Sequence, residues 1–440
     1  MKNWGRVISF TAGLSLAALW VVSVGTSQAA AVSEKMVTKI GVDERAGYQP
    51  GVFVGKKPNH EIAARGATTQ DEWVTETVDS ESVGLKGTSL ALDAMGNPHI
   101  SYQAGGELTY AVRNGGWHLT TLTGLEGSYS ALALLGSQPH MMFFTYFEHS
   151  SRMEYVYQDD AGDWLTNVVV PTGNNLSARE CVSVVMDDEG ILHVAFTLYQ
   201  CYLWGPTDEC WQWYPGDLMY SYREGTGWKD PVAAAYTAKV SSMALDAGKN
   251  VYVSVYNYKG WDDDHVEMLY HGYLGRGLTS PVISVVDTPG VVGDFNDIAL
   301  DESVFPPMSH ISYYDTTNVD LKYAKRTGAT SWQIDVVDSA GNVGQCTSIA
   351  LDSSGKPHIS YYDETNQDLK YAYLDDSGWH TQTVDSAGNV GLFTSLALDA
   401  NNQPHIVYID AANGDLVYAH LGSFTTNIYL PLLGRDLIVP

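Results

Sequence analysis

With 51 Asp and Glu against 24 Lys and Arg in 440 residues, the chain carries a formal charge of −27; such a surface repels a polyphosphate backbone and argues against nucleic acid as a partner. The 28 Tyr, 12 Trp and 42 Gly, without long runs of good helix formers, suit short strands joined by tight turns. Dissolved cations, cationic surfaces and neutral sugars stay compatible with the charge, which also serves solubility.

Lys2 and Arg6 precede an apolar run from Val7 to Gly25 and small residues near Ala29 and Ala31, the layout of a cleaved export signal over residues 1–30. The alternative is an uncleaved anchor, because that run nearly spans a bilayer. No later run is long enough, so the mature part is expected not to span a membrane. Residues 31–72 read as a polar leader without periodicity, expected to be mobile.

From residue 73 the chain repeats. The clearest copy, "CTSIALDSSGKPHISYYDETNQDLKYAYLDDSGWHTQTVD" (346–385), holds four short strands, A "SIALD", B "PHISYYD", C "DLKYA" and D "WHTQTVD", separated by turns of hairpin length. Strand A recurs at Ser89, Ser130, Ser183, Ser242, Asp297, Ser348 and Ser395. A Leu or Met two residues before a Tyr marks strand C seven times, at Tyr110, Tyr155, Tyr220, Tyr270, Tyr323, Tyr371 and Tyr418. Strand D opens with Trp117, Trp164, Trp228, Trp332 and Trp379, while the fourth copy has the Trp-less "PVISVVD" ending at Asp287 and the seventh has no strand D after Tyr418.

The missing strand is "WVTETVD" (Trp73 to Asp79), ahead of the first copy. These counts predict an all-β fold over residues 73–423: a seven-bladed β-propeller of four-stranded antiparallel blades, its last blade completed by the N-terminal strand so that no edge stays open. Residues 424–440 resemble the short Tyr-Leu-Pro-Leu tails that end many secreted bacterial proteins, which implies a sorting role; an apolar tail packed on the ring is the alternative.

Residues shared by the copies read as scaffold. His99, His140, His193, His310, His358 and His405 open strand B, with Tyr252 in the fourth copy. Equivalent positions in seven blades lie on a ring and cannot converge on one ion, which needs ligands at ~2 Å. The expected role is a hydrogen bond to the Asp six residues earlier or to turn backbone, similar to the Asp and His bonds of WD-repeat blades. Asp315 to Asp320, Asp363 to Asp368 and Asp410 to Asp415 have Asp, Asn and Asp at positions one, four and six. They lack the oxygen series of a calcium loop, so Asx turns explain them, with calcium the minor alternative and no other cofactor expected.

Function is expected where the copies differ. From strand-B His to strand-C Leu the spacing is 11 residues in the last three copies, but 25 in the third (His193 to Leu218) and 16 in the fourth (Tyr252 to Met268). The third connection offers Tyr202, Trp204, Trp211, Trp213 and Tyr214 with Asp208 and Glu209; the fourth offers Tyr258, Trp261, Asp262, Asp263, Asp264, His265 and Glu267; the second adds Glu148, His149 and Arg152. Indole faces beside carboxylates suit sugar rings, whose C–H faces stack while their hydroxyls bond to acceptors. The alternative is a self-packed cap tied by Cys201 and Cys210. Cys181 and Cys346 share one repeat position three copies apart, so no bond is expected between them.

The blade layout resembles secreted bacterial propellers that include sialidase-type repeats, propeller lectins and adhesion proteins. The resemblance is architectural: the Ser-x-Asp-x-Gly-x-x-Trp pattern of sialidase-type repeats is absent, and the equivalent turn reads "LDSSGKPH". A sialidase-like site needs three arginines around a carboxylate, yet Arg113, Arg223, Arg276 and Arg326 follow strand C and fall on the opposite face, leaving only Arg152 and Arg179. A glycosidase pair such as Asp264 with Glu209 is one of many on an acidic face, and no nucleophile elbow, HExxH or phosphate loop is present. The reading is an exported, non-catalytic binding or adhesion protein at the cell surface for carbohydrate or another surface polymer. A polysaccharide hydrolase or lyase and an envelope scaffold are the alternatives.

Overall fold

A computed structural model describes residues 38–39, 42–45, 72–81, 83–147, 150–170, 176–204, 210–235, 238–259, 266–275, 281–288 and 290–422; toward the tips of the hairpins in blades 2 to 4 it describes backbone alone. Among the described residues there is no helix. The strands form seven antiparallel sheets, each joining the four strands A to D in order. Strand A of every blade touches strand A of the next around the whole circle, so the A strands are innermost. The protein is a seven-bladed β-propeller.

Its closure is the expected one. Blade 7 consists of Val390–Leu398, Pro404–Asp410, Asp415–Gly422 and the N-terminal Glu72–Asp79. The register sets Trp73 opposite Leu421 and Glu76 opposite Tyr418. Glu76 also reaches forward into blade 1, where it accepts from Arg113 Nε and Nη2 at 3.0 and 2.8 Å and from Trp117 Nε1 at 3.2 Å. The leader departs from an unpaired segment in two places. Thr38–Lys39 pairs with the outer strand of blade 2, and Val42–Arg45 with that of blade 1, as fifth strands.

A sheet with two apolar faces must bury both, and here each face is buried against the neighbouring blade. Seven apolar clusters result, one at each interface. Six interfaces are stitched by an aromatic edge contact in which the strand-D tryptophan of one blade meets the strand-C ring of the blade before it. The pairs are Trp117 on Tyr418, Trp164 on Tyr110, Trp228 on Tyr155, Trp332 on His271, Trp379 on Tyr323 and Trp73 on Tyr371, with centroids 5.1 to 5.5 Å apart and planes at 62 to 82°.

One of these pairs corrects the strand-C tally. In blade 4 the ring position is His271, not Tyr270: His271 lies opposite Ser254 as Tyr371 lies opposite Ser360, and Leu269 takes the place of the marker leucine. The strand-B histidine also has a different main partner from the one expected. Its Nδ1 meets the strand-C tyrosine hydroxyl at 2.5 Å for His99 with Tyr110 and for His140 with Tyr155, and at 2.6 Å for His193 with Tyr220 and His310 with Tyr323; His358 with Tyr371 and His405 with Tyr418 repeat the pair. The expected carboxylate contact is secondary, 3.2 Å for His193 to Asp187 and 3.6 to 4.0 Å for His99, His358 and His405. Blade 4 holds the same two ring types exchanged, Tyr252 on strand B and His271 on strand C, with Tyr252 Oη donating to Asp246 at 3.2 Å.

Near the axis, hydroxyls join consecutive A strands. Ser89, Ser183, Ser348 and Ser395 accept the backbone N–H of Leu132, Met243, Leu396 and Leu90 in the following blade at 3.1 to 3.2 Å. Asp297 replaces serine in blade 5, accepting from Ser242 of blade 4 and from Ser348 and the N–H of Ile349 in blade 6. Burial raises its carboxyl above the usual range, against the pull of those donors. The D–A connections entering blades 2, 5, 6 and 7 each press a glycine on the marker leucine of the preceding blade, Gly127 on Leu108, Gly293 on Leu269, Gly344 on Leu321 and Gly391 on Leu369. At Gly344, with φ of 107°, an added Cβ would sit 2.7 Å from Leu321 Cα, so backbone conformation and space both demand glycine.

Two outcomes follow for stability. Trp117→Ala removes an indole that is 6% exposed across the closing interface, and urea denaturation should show a loss of about 3–5 kcal/mol. Burial pushes His140 and His310 down to about 4 and His271 to about 3. An imidazole that ionises near 6.5 only when unfolded favours the fold above that pH. Stability is therefore lost as pH falls from ~6.5 toward ~4, on the order of 3 kcal/mol for each such histidine. A thermal midpoint that stays level across this window would contradict the assignment.

Candidate functional site

The departures from the repeat lie on the face that carries the B–C connections. In blade 6 the B–C ladder runs from His358 opposite Tyr373 to Asp363 opposite Asp368. In blade 3 it runs from His193 opposite Tyr222 to Trp204 opposite Cys210, about six residues farther, or roughly 20 Å of extra strand. The swollen copy is thus a projecting hairpin, Leu192–Trp204 with Cys210–Glu224, carrying register shifts between Thr197 and Trp204. Blade 4 projects Val251–Lys259 and Val266–Leu274, paired up to Lys259 opposite Val266, and blade 2 projects Gln138–Phe147 and Ser150–Gln158. With Leu269 as the marker, the fourth spacing is one residue longer than the sequence count.

The backbone of Tyr202, Trp204, Trp211, Trp213 and Tyr214 lies in the blade 3 hairpin, with Cys201 opposite Trp213 and Gln200 opposite Tyr214. Their side chains, and those of Cys201 and Cys210, lie outside the described residues. So do Trp261, Asp262, Asp263, Asp264 and His265 entirely, along with Asp208, Glu209, Glu148 and His149. Of the cysteines, Cys346 is described: it is unbonded to another cysteine, and burial pushes its thiol up to about 11.

The Asp-rich B–C turns of blades 5 to 7 are described in full. Asp315 accepts from the N–H of Thr317 and Asn318 and from Asn318 Nδ2, an Asx turn repeated at Asp363 and Asp410. The remaining carboxylate valence faces a lysine: Lys322 Nζ lies 2.8 Å from Asp315 and 3.0 Å from Asp287, the end of strand D in the preceding blade. Tyr313 Oη donates to Asp287 at 2.7 Å, and the same bond joins Tyr361 to Asp338, Tyr408 to Asp385 and Tyr102 to Asp79. Burial works to raise the Asp315 carboxyl, but the bonds from Lys322 and Asn318 outweigh it and hold it below its ordinary range. In blades 5 and 6 the ammonium of Lys322 or Lys370 stands where a calcium reading would put the ion. Among the described residues no group of three or more His, Cys, Asp or Glu is placed to hold a metal.

The arginines are dispersed. Arg152, on the hairpin face, donates Nε to Glu154 at 2.8 Å, and Glu154 also accepts from Thr145 at 2.5 Å. Arg113 belongs to Glu76, Arg223 lies over the rings of Tyr155 and Tyr157 at 5.2 and 4.9 Å, and Arg326 donates to the carbonyls of Gly328 and Ala329. Among the described residues no three arginines converge. What sequence reasoning missed is how the repeated polar residues use one another: strand-C Tyr for His, strand-B Tyr and strand-C Lys for the closing Asp. The signal was present, because these residues recur at fixed offsets in copy after copy.

No protein-family profile matches the chain, and neither does any curated protein. Solved structures resemble it in fold. A protein of unknown function from Dyadobacter fermentans is 8% identical with a TM-score of 0.51, covering 81% of this chain and 99% of its own. A family PL25 ulvan lyase, solved with a GlcA–Rha3S unit, is 12% identical with a TM-score of 0.51 over 79% of this chain and 95% of its own. Virginiamycin B lyase from Staphylococcus aureus is 7% identical with a TM-score of 0.51 over 80% of this chain and all of its own. At such identities the likeness is one of architecture, and what it establishes is the propeller.

Proposed function

We propose that this is an exported, non-catalytic binding protein that recognises carbohydrate or a related cell-surface polymer through the hairpins of blades 3 and 4, with the blade 2 hairpin beside them. The observation that carries the reading is the coincidence of two independent departures from the repeat. The chain's concentration of Trp, Tyr and Asp falls in the same two adjacent copies whose B–C ladders project from the ring. A rigid ring with one irregular sector places its variable chemistry on loops held by a fixed frame. Aromatic rings alternating with carboxylates on such projections supply stacking faces and acceptors for sugar hydroxyls. The strongly acidic surface directs the choice toward neutral or cationic polymers.

A glycan array with the wild type and with a variant carrying Trp204→Ala, Trp211→Ala, Trp213→Ala and Trp261→Ala tests this directly. Retained sugars should lose at least about tenfold in affinity, each lost stacking platform being worth on the order of 1 kcal/mol. Identical profiles for the two proteins would remove the aromatic site. Incubation with polysaccharide panels should release neither reducing ends nor unsaturated products; sustained release of either would make the same face an active site.

A further inference from the structure

In blades 5 and 6 the B–C turn meets the end of the preceding blade's strand D around one lysine, which two aspartates share. Lys322 Nζ lies 2.8 Å from Asp315 Oδ2 and 3.0 Å from Asp287 Oδ2; Lys370 Nζ bonds to Asp338 Oδ2 and lies 4.0 Å from Asp363 Oδ2. Blade 7 keeps both aspartates and loses the lysine. Asp385 accepts from Tyr408 Oη at 2.6 Å and from the N–H of Ala387 at 3.0 Å, while Asp410, 7% exposed, accepts from the N–H of Ala412 and Asn413 and from Asn413 Nδ2 at 2.7 Å. Val417 stands at the lysine position, since it pairs with Tyr408 as Lys322 pairs with Tyr313 and Lys370 with Tyr361. A valine ends at Cγ, and among the described residues no lysine or arginine bonds to Asp385 or Asp410. The uncompensated charge is felt next door. Burial, then the charges of Asp410 and Asp79, raise the Asp415 carboxyl above its ordinary range with no cation opposing them, whereas at the equivalent Asp320 and Asp368 the lysines Lys322 and Lys370 work against the same rise.

We propose that the corner between Asp385 and Asp410 binds the primary ammonium group of a small ligand, supplied either by an amino sugar or by a simple alkylamine. The same two positions in two sister blades already grip an ammonium, so the fold itself shows which group the place accepts. Calcium suits it less. Asp385 Oδ1 and Asp410 Oδ1 are taken by backbone N–H groups, so each carboxylate offers Oδ2 alone, and calcium seeks ~6–8 oxygens. An ammonium has three N–H donors, two for the Oδ2 atoms and one for water or a hydroxyl of the ligand. The side chains of Lys322 and Lys370 keep 14 and 12% exposure, which puts the position next to solvent and lets a ligand stem point outward. The site belongs to blade 7 and stands whether or not the hairpins of blades 3 and 4 bind sugar.

Isothermal titration of the full chain with glucosamine, n-butylamine and N-acetylglucosamine in buffers of equal ionic strength, with sodium chloride as the blank, tests the proposal. Glucosamine or butylamine should bind saturably with a dissociation constant on the order of 1 mM, the yield of two charge-assisted hydrogen bonds beside solvent. The tighter of the two identifies the source, and N-acetylglucosamine, whose nitrogen is uncharged, should not compete. Val417→Lys, which supplies the ammonium from within, should weaken amine binding at least about tenfold, while the four-Trp hairpin variant binds amines as wild type does. Should Val417→Lys fail to fold by circular dichroism, Asp385→Asn, which keeps an acceptor for Tyr408 and removes the charge, should weaken amine binding to the same extent. Heats no larger than the blank for both amines, calcium binding that neither amine displaces, amine binding lost in the hairpin variant, or unchanged amine affinity in a folded Val417→Lys protein would each overturn it.

Discussion

Antiparallel pairing of Glu72–Asp79 with Asp415–Gly422 is the constraint on which the ring depends, because it converts seven sheets in a row into a circle without free edges. The pairing alone would fix one blade. What makes it close the circle is that the same strand carries Trp73 back onto Tyr371 of blade 6 and Glu76 forward onto Arg113 and Trp117 of blade 1. The two ends of the propeller are thereby joined through side chains on both sides of one strand as well as through its backbone. Of the other five interfaces, four then carry the tryptophan wedge that their own copies encode.

The repeated polar residues are consumed by that wedge. His and Tyr bind each other beneath the A–B turns, the Asp that ends strand D takes a Tyr and in two blades a Lys from the next blade, and serine hydroxyls near the axis accept the N–H of the following strand. Buried polar groups that satisfy one another in this way rigidify a fold and leave little valence for a ligand. The departures from the repeat are concentrated in blades 2 to 4, where the hairpins lengthen.

Much of this was legible in the chain because propeller blades are written as offsets. Strand order, blade number and the donation of the first strand to the last blade all follow from the spacing of Asp, His, Tyr and Trp, and each is found in the structure. Strand C of blade 4 was misplaced by one residue because "MLYHGY" offers a Tyr at Tyr270, while the pleat directs His271 inward. A one-residue slip in a strand exchanges its two faces, so a residue-type match without a register test is weak there. The leader's short strands escaped notice since two to four residues on the outside of a sheet carry no periodicity to read. The hairpin of blade 3 was visible as extra length but not as extra ladder, because its aromatic residues suit strands and caps alike. The composition of that hairpin was legible; the contacts of its indoles are a property of side chains beyond those described.

Tyr252 and His271 hold one consequence for how such rings change over generations. The pair of rings survives in blade 4 with its members traded between strands, although there Tyr252 bonds to Asp246 and His271 to Ser309, so the two positions keep one imidazole and one phenol side by side. A chimera that borrowed strand B from one copy and strand C from another would place two imidazoles or two phenols face to face in a space shaped for one of each. Duplication and exchange within this gene are therefore viable blade by blade, with whole cassettes as the unit of inheritance.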